Sequence, residues 1–371
     1  MDVGRILTQV KAKVSSGKMM LKGDKLWKHV VVFESDDWGS IRMPSLDTYN
    51  QLVNEGITSI DGGKYNKIDT LESNEDLEAL FNILSSVRDS KGNHAKLTMN
   101  YVVGNPDFEK IKGCNFEKYA YEPFTRTMER YPNHDRVFTL LNKAIRENLV
   151  KPQFHGREHL NYQKWMTLLK AGNKDAIACF NRHNYAMIED NAEVLEAYNI
   201  DNKHLSAGIA DSISEGLDLF ENIFGFKSKS MIAPCYIWDR SVERAAFAKG
   251  VHIIQGSSAQ HLPDYAVQNG RKSIFHYFGE RNEFGQYYTT RNCAFEPSQN
   301  VKYSAEHCIR RIDTMFRLGL PAIVSCHRLN FIGGLSQENR DRNLHSFSFL
   351  LKKIVMKYPD LEFRYSDEFF N

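Results

Sequence analysis

Apolar positions along this chain fall into two alternating rhythms. Val30-Val31-Val32-Phe33 is an unbroken run of β-branched and aromatic residues, the pattern of a strand buried on both faces. Leu77, Leu80, Phe81 and Leu84 then repeat at the spacing of one helix face, with Ser73 or Asn74 placed to cap it. The alternation continues. Lys96–Val103 reads as a strand, Val137, Leu140, Leu141, Ala144 and Ile145 as a helix face, and Leu149–Phe154 as a strand. Ser214, Leu217, Phe220, Ile223 and Phe224 mark a helix closed by Gly225. Further on come strand Ser230–Ala233, helix Ser241–Lys249 ended by Gly250, strand Val251–Ile254, and a helix through Ile309, Ile312, Met315 and Phe316. Strand Pro321–Cys326 follows, then a long helix through Leu344, Phe347, Leu350, Leu351 and Ile354, and a last strand at Leu361–Tyr365. Segment 106–132 is loop-like and rich in aromatics.

Repeated strand-then-helix order implies a parallel sheet with helices outside it. Seven or eight such units favour a closed or nearly closed barrel. The expectation is an α/β chain: one distorted (β/α) barrel of about seven strands over 29–371, with a helical extension at 1–28 and long insertions at 104–135 and 256–300. The extension rests on Val3, Ile6, Leu7 and Val10, which share helical spacing. No internal repeat or linker divides the chain.

Parallel barrels gather their chemistry at the carboxyl ends of the strands. Asp36 and Asp37 stand at the end of the first strand, His155 and His159 just after the Leu149–Phe154 run, and His327 at the end of the Pro321–Cys326 run. Adjacent carboxylates repel one another, a cost that a bound cation or a shared proton relieves. Two imidazoles four residues apart lie on one face of a helical turn, close enough to hold one metal ion. The five residues therefore offer an Asp-His-His metal triad with a spare carboxylate and a spare imidazole. A rival pattern overlaps this one. His155-x-x-Glu158-His159 also has the inverzincin protease spacing, with Glu158 as base, but that motif belongs inside a regular helix and Gly156 breaks one.

Bulk properties narrow the field. The 371 residues can bury a large core. A net charge of +2 gives no electrostatic footprint for nucleic acid. No apolar run reaches the 18 residues or so of a membrane span. Residues 1–28 lack the apolar core of a signal peptide, and the six scattered cysteines form no C-x-x-C pair. Both point to reduced thiols and a cytoplasmic location. The oligomeric state is left open.

The order of these motifs resembles that of the polysaccharide deacetylase superfamily, which includes carbohydrate esterase family four. There an aspartate pair follows the first strand, an H-x-x-x-H pair a middle strand, and a histidine ends the last strand. Leu97–Gly104 also looks like that family's second strand. The resemblance covers about 30–330 and makes this chain a divergent member. It implies a metal-dependent deacetylase that hydrolyses an N-acetyl group on a sugar, with Asp36 as base, His327 as acid, and Asp37, His155 and His159 holding one divalent metal. Zinc suits that triad, with cobalt, nickel or manganese as alternatives.

The chain also departs from the family. Ala233 in Ile232-Ala233-Pro234-Cys235-Tyr236 stands where the family carries an arginine, and Gly250–Gly256 lacks the usual Asp and Trp. Arg157 and Arg328 are the expected replacements for that arginine, orienting Asp36. Trp38, Pro234, Tyr236 and Asn330 complete the expected substrate contacts. Asn330–Gly334 would be a substrate loop, and a backbone N–H near Tyr236 would support an oxyanion. A catalytically silent carbohydrate-binding protein on the same fold is the alternative that the missing arginine raises.

Overall fold

The computed structural model describes residues 14–60, 65–189, 192–200, 202–266 and 270–370. Its organising strand is β1 (Val30–Trp38), whose nine residues are all buried. Around it in chain order come β2 (Leu97–Tyr101), β3 (Val150–Phe154), β4 (Ser230–Ile232), β5 (Ile253–Gly256), β6 (Tyr287–Thr290), β7 (Cys293–Ala294), β8 (Ala322–His327) and β9 (Glu362–Phe363). The spatial order is β6-β5-β4-β3-β2-β1-β8-β7, every neighbouring pair parallel, with β9 beside the start of β1.

The two ends of that order are consecutive in the chain. β6 pairs with β5 and β7 with β8. Between them the Arg291 N–H donates to Gly256 O at 2.7 Å and the Asn292 N–H to Ile323 O at 3.1 Å. One extended segment thus crosses from one edge to the other and closes the ring. With β6 and β7 as a single stave, the barrel has seven. Closure removes the exposed edges that an open sheet would leave.

Register decides what meets at the carboxyl ends. β1 pairs with β8 from Val31↔Ala322 to Asp36↔His327, so those two residues are lateral neighbours. Tyr101 of β2 pairs with Phe154 of β3, which places His155 beside them at the same rim.

The helices outside follow the apolar spacing. Helix Asn74–Ser85 buries Leu77, Leu80, Phe81 and Leu84 and starts with a capping box between Ser73 and Asp76. Helix Ser206–Phe224 ends on Gly225 in the left-handed conformation, φ 75°. Helices Val137–Arg146, Arg240–Ala248, Ala305–Arg317 and Gln337–Lys357 complete the layer.

Two expectations need correcting. Segment 106–132 is not all loop, for it carries the short helices Phe108–Gly113 and Phe124–Met128. The 256–300 region is only partly an insertion. It holds the hairpin Ala259–Asp264/Gly270–Phe275, but also the closing stave β6–β7, whose apolar signal is too short to stand out. Two further insertions line the mouth of the barrel, one between β1 and β2 and one between β3 and β4. The expected helix through Val3, Ile6, Leu7 and Val10 lies outside the described residues; 14–22 is helical. None of the six cysteines is disulfide-bonded. Among the described residues no helix is long and apolar enough to cross a membrane.

Candidate active site

In a regular strand Asp36 and Asp37 would point to opposite faces. Here the pairing of β1 with β2 shifts register between Ser35 and Trp38, and Asp37 takes a left-handed backbone, φ 75°. This bulge turns both carboxylates toward the same cavity. An αL conformation in a buried non-glycine residue costs on the order of 1–3 kcal/mol, strain of the kind concentrated at functional sites. Gly39 completes the turn at φ 79°, where a Cβ would meet Val102 O at 2.5 Å.

His155 and His159 come together without a helix. The segment between them is irregular and pivots on Gly156, φ 117°. Asp37 Oδ1 lies 3.4 Å from His155 Nε2 and 3.5 Å from His159 Nε2. A tetrahedral ion with bonds of about 2.1 Å separates its ligand atoms by roughly 3.4 Å, so the spacing of this buried triad suits one ion. His155 Nδ1 is 3.0 Å from Ile232 O; a carbonyl only accepts, so Nδ1 carries a proton and Nε2 is the nitrogen turned to Asp37. Burial, with help from Arg42, pushes His159 down to about 3 despite Asp37, so it is neutral at pH 7. Burial opposes the Asp37 charge, but Arg42 leads the groups that outweigh it and hold the carboxyl well below its usual range. The donor set, one carboxylate and two imidazoles, fits zinc chemistry.

Asp36 is held differently. Arg291 grips it through two hydrogen bonds, Nη1 to Oδ2 at 2.6 Å and Nη2 to Oδ1 at 2.7 Å, while its Nε donates to Glu34 Oε2 at 2.7 Å. Asn100 Nδ2 donates to Asp36 Oδ1 at 2.8 Å, and Gln255 steadies Asn100. Burial works against the Asp36 charge, but Arg291 prevails and lowers its pKa. Beside it on β8, His327 Nε2 lies 3.9 Å from Asp36 Oδ2 and its Nδ1 2.5 Å from Glu296 Oε1. Burial would keep this imidazole neutral; Glu296, with Asp37 and Asp36, lifts it to about 9. Asn330 Nδ2 in turn donates to Glu296 Oε2 at 2.8 Å.

The five central residues, Asp36, Asp37, His155, His159 and His327, share one cavity of about 180 Å³ with Tyr236 and Tyr65. The other expected residues stand elsewhere. Trp38 is fully buried, its Nε1–H donating to Ser35 Oγ. Arg157 turns away from Asp36: it pairs with Glu158 and Glu215 and lies over the Tyr121 ring. Arg328 is locked among Asp69 and Glu72. Neither replaces the missing arginine, because each is consumed by nearer carboxylates. Pro234 is buried beside Gly156, outside the cavity lining. Asn330 is also buried and braces Glu296. Cys235 and Tyr236 are both left-handed, φ 55° and 57°, a turn that brings them to the cavity wall. Of the backbone N–H groups near Tyr236 expected to support an oxyanion, that of Tyr236 donates to Ala233 O and that of Ile237 to Pro234 O, both at 3.1 Å. Glu158, the base of the protease reading, is held by Arg157 and Ser212 and does not line the cavity.

Arg291, Glu296, Asn100 and Gln255 are neighbours of these residues that the sequence does not point to. Tyr287–Thr290 gave the one available signal, a short β-prone run with an arginine directly after it.

No protein-family model matches the chain, and no curated protein matches it. Solved structures with a similar trace include a 4-alpha-glucanotransferase from Thermococcus litoralis, at 9% identity and a TM-score of 0.44. That match covers 92% of this chain but only 40% of the glucanotransferase's length. A putative polysaccharide deacetylase from Mycobacterium smegmatis matches at 10% identity and TM-score 0.42, over 90% of this chain and 86% of the other. A probable polysaccharide deacetylase from Pseudomonas aeruginosa PAO1 matches at 9% and 0.44, over 92% and 90%. These are likenesses of chain trace, at identities too low to carry chemistry from one protein to another.

Proposed function

We propose that this chain is a divergent member of the polysaccharide deacetylase superfamily, a metal-dependent amide hydrolase that removes an N-acetyl group from a sugar. One observation carries the reading: a triad spaced for a metal ion shares a small cavity with a carboxylate gripped by Arg291 and an imidazole charged by Glu296. Asp37, His155 and His159 hold one divalent ion, zinc by the character of the donors. When bound, such an ion lowers the pKa of water toward neutrality and polarises a carbonyl.

The chain's own residues divide the proton transfers. Asp36, kept ionised and oriented by Arg291, takes the proton from the attacking water. His327, protonated at neutral pH through Glu296, gives one to the leaving nitrogen, since an amine must depart with a proton. A bound cation repels that charge and brings the His327 pKa below its metal-free position. The silent-binder alternative drew on the absent arginine at Ala233. Arg291 supplies a guanidinium at Asp36 from another strand, which removes that motive.

The test combines metal analysis with acetate release from an N-acetylated oligosaccharide and an activated acetyl ester. The reading requires one ion per chain and activity on both substrates. Metal-loaded protein inert on both would refute it.

A further inference from the structure

Between the closing stave and helix Ala305–Arg317 lies a second cavity, of about 260 Å³. It shares no lining residue with the catalytic one. Residues 290–294 of the stave form one wall, and Tyr303, His307 and Arg311 another. Ser16 and Ser258 also line it, their hydroxyl oxygens 2.6 Å apart. Among the described residues that line it, none is acidic.

Arg311 is half-buried here. Its Nε and Nη2 donate to Asn292 O at 3.3 and 3.0 Å, which commits one edge of the guanidinium and fixes its plane. The opposite edge, through Nη1, meets no acceptor among the described residues, and Arg311 has no carboxylate partner among them. Arg291 adds no free charge to the cavity, since its guanidinium is held by Glu34 and Asp36. A guanidinium drawn out of water without a counter-charge is costly. A rigid fork with one edge open is also the geometry that takes an oxyanion through two parallel hydrogen bonds.

Neutral donors stand around that edge. The His307 imidazole lies edge-on to Tyr303, ring centroids 6.0 Å apart, and keeps one N–H in either tautomer. The hydroxyls of Ser16, Ser258 and Tyr303 each donate or accept. A phosphoryl group brings three strong acceptor oxygens, which suits a charged fork with neutral donors on other sides better than the two oxygens of a carboxylate. We infer that this cavity is a phosphate site, anchored by Arg311, for inorganic phosphate or the phosphoryl group of a larger molecule. Nothing in this inference depends on the deacetylase reading.

The test is calorimetric titration of the metal-loaded full chain, at constant ionic strength, with inorganic phosphate, glucose 6-phosphate and acetate. Saturable binding of a phosphate probe, tighter than that of acetate, is the expected result. Tighter binding of the ester assigns the site to a phosphorylated molecule, and tighter binding of the free ion to inorganic phosphate. Arg311→Met should weaken the binding on the order of ten- to a hundredfold, the scale of hydrogen bonds to a charged group. His307→Leu leaves the Arg311 tie to Asn292 in place and should weaken it about two- to tenfold, the scale of a neutral hydrogen bond. It carries the test if Arg311→Met does not fold. No saturable binding, acetate bound as tightly as phosphate, or affinity unchanged in the folded variants would overturn the site. Binding that survives in Arg311→Met but is lost in His155→Ala would place the phosphate on the metal centre and overturn it too.

Discussion

The two halves of the site are built on different principles. The half proposed to hold metal joins Asp37 to His155 and His159, more than a hundred positions away, on staves β1 and β3. The half proposed for proton transfer joins Asp36 to Arg291 across 255 positions and His327 to Glu296 across 31. In the first half local backbone aims the side chains, a bulge at Asp37 and a glycine pivot at Gly156. In the second the grip on Asp36 depends on closure of the barrel, since Arg291 sits where the chain crosses from β5 to β8. A half aimed by local backbone is legible as a motif. A half that depends on closure is free to recruit its orienting groups from any stave that reaches the rim, and here the β6–β7 crossing brings Arg291 to Asp36.

That contrast can be broken at several points. The largest effect belongs to the metal half. His155→Ala should abolish both metal binding and activity while the fold persists, because the barrel core supplies its own stability; elemental analysis beside a thermal melt checks this. If metal content were unchanged, the triad would be misassigned. Asp36→Asn should keep the ion and lose on the order of a hundredfold or more in rate, the scale of a lost general base. Wild-type turnover with metal bound would remove Asp36 from the chemistry.

Glu296→Gln sharpens the comparison through pH. Burial alone depresses an imidazole, and Glu296 is the foremost of the carboxylates that lift His327 to about 9. Losing that carboxylate lets burial count for more, so the alkaline limb of the rate profile should move to lower pH. The sign also governs stability. A raised folded pKa stabilises fully below the unfolded value near 6.5 and less as pH climbs through about 9. The metal-free wild type should therefore lose stability across that window more than Glu296→Gln does. An unmoved alkaline limb would show that Glu296 does not tune the acid.

Arg157 and Arg328 test the other side of the contrast, since both were expected at Asp36 and neither reaches it. Arg328→Met leaves Glu72 buried with no cation beside it and Asp69 with Arg42 alone, and should cost ~3–5 kcal/mol of stability without changing the pH profile of the remaining folded enzyme. Denaturant melts read this. Arg157→Met should have the mildest effect on activity, with rate within about twofold of wild type, because Arg157 and its partners Glu158 and Glu215 lie outside the cavity lining; its cost falls on stability, through Glu158 left buried without its cation. A large rate loss in Arg157→Met would put Arg157 back in the site.

Much of the fold was legible because its signals are local. Val30–Phe33 and Ala322–Val324 are long enough apolar runs to read as strands, and Leu77 through Leu84 share a helix face. Asp36, Asp37, His155, His159 and His327 were legible as strand-end residues. The failures share one cause. Tyr287–Thr290 is four residues long and its partners lie on strands remote in sequence, so no periodicity marks it as the closing stave. Trp38 follows a polar run and looked available for a sugar face, yet the bulge that turns Asp37 inward leaves Trp38 in the core. Arg328 and Asn330 follow His327 directly, but their side chains are claimed by Asp69, Glu72 and Glu296, groups that sequence proximity does not reveal.

The division of labour between the two halves is tested most directly in Arg291→Met. Metal stoichiometry and acetate release should be measured on the same preparation. With the triad untouched and Asp36 unanchored, the protein should hold one ion per chain as wild type does, and its rate should fall on the order of ten- to a hundredfold, the range for lost outer-shell support. Full activity with metal bound, or loss of the ion together with activity, would contradict the account.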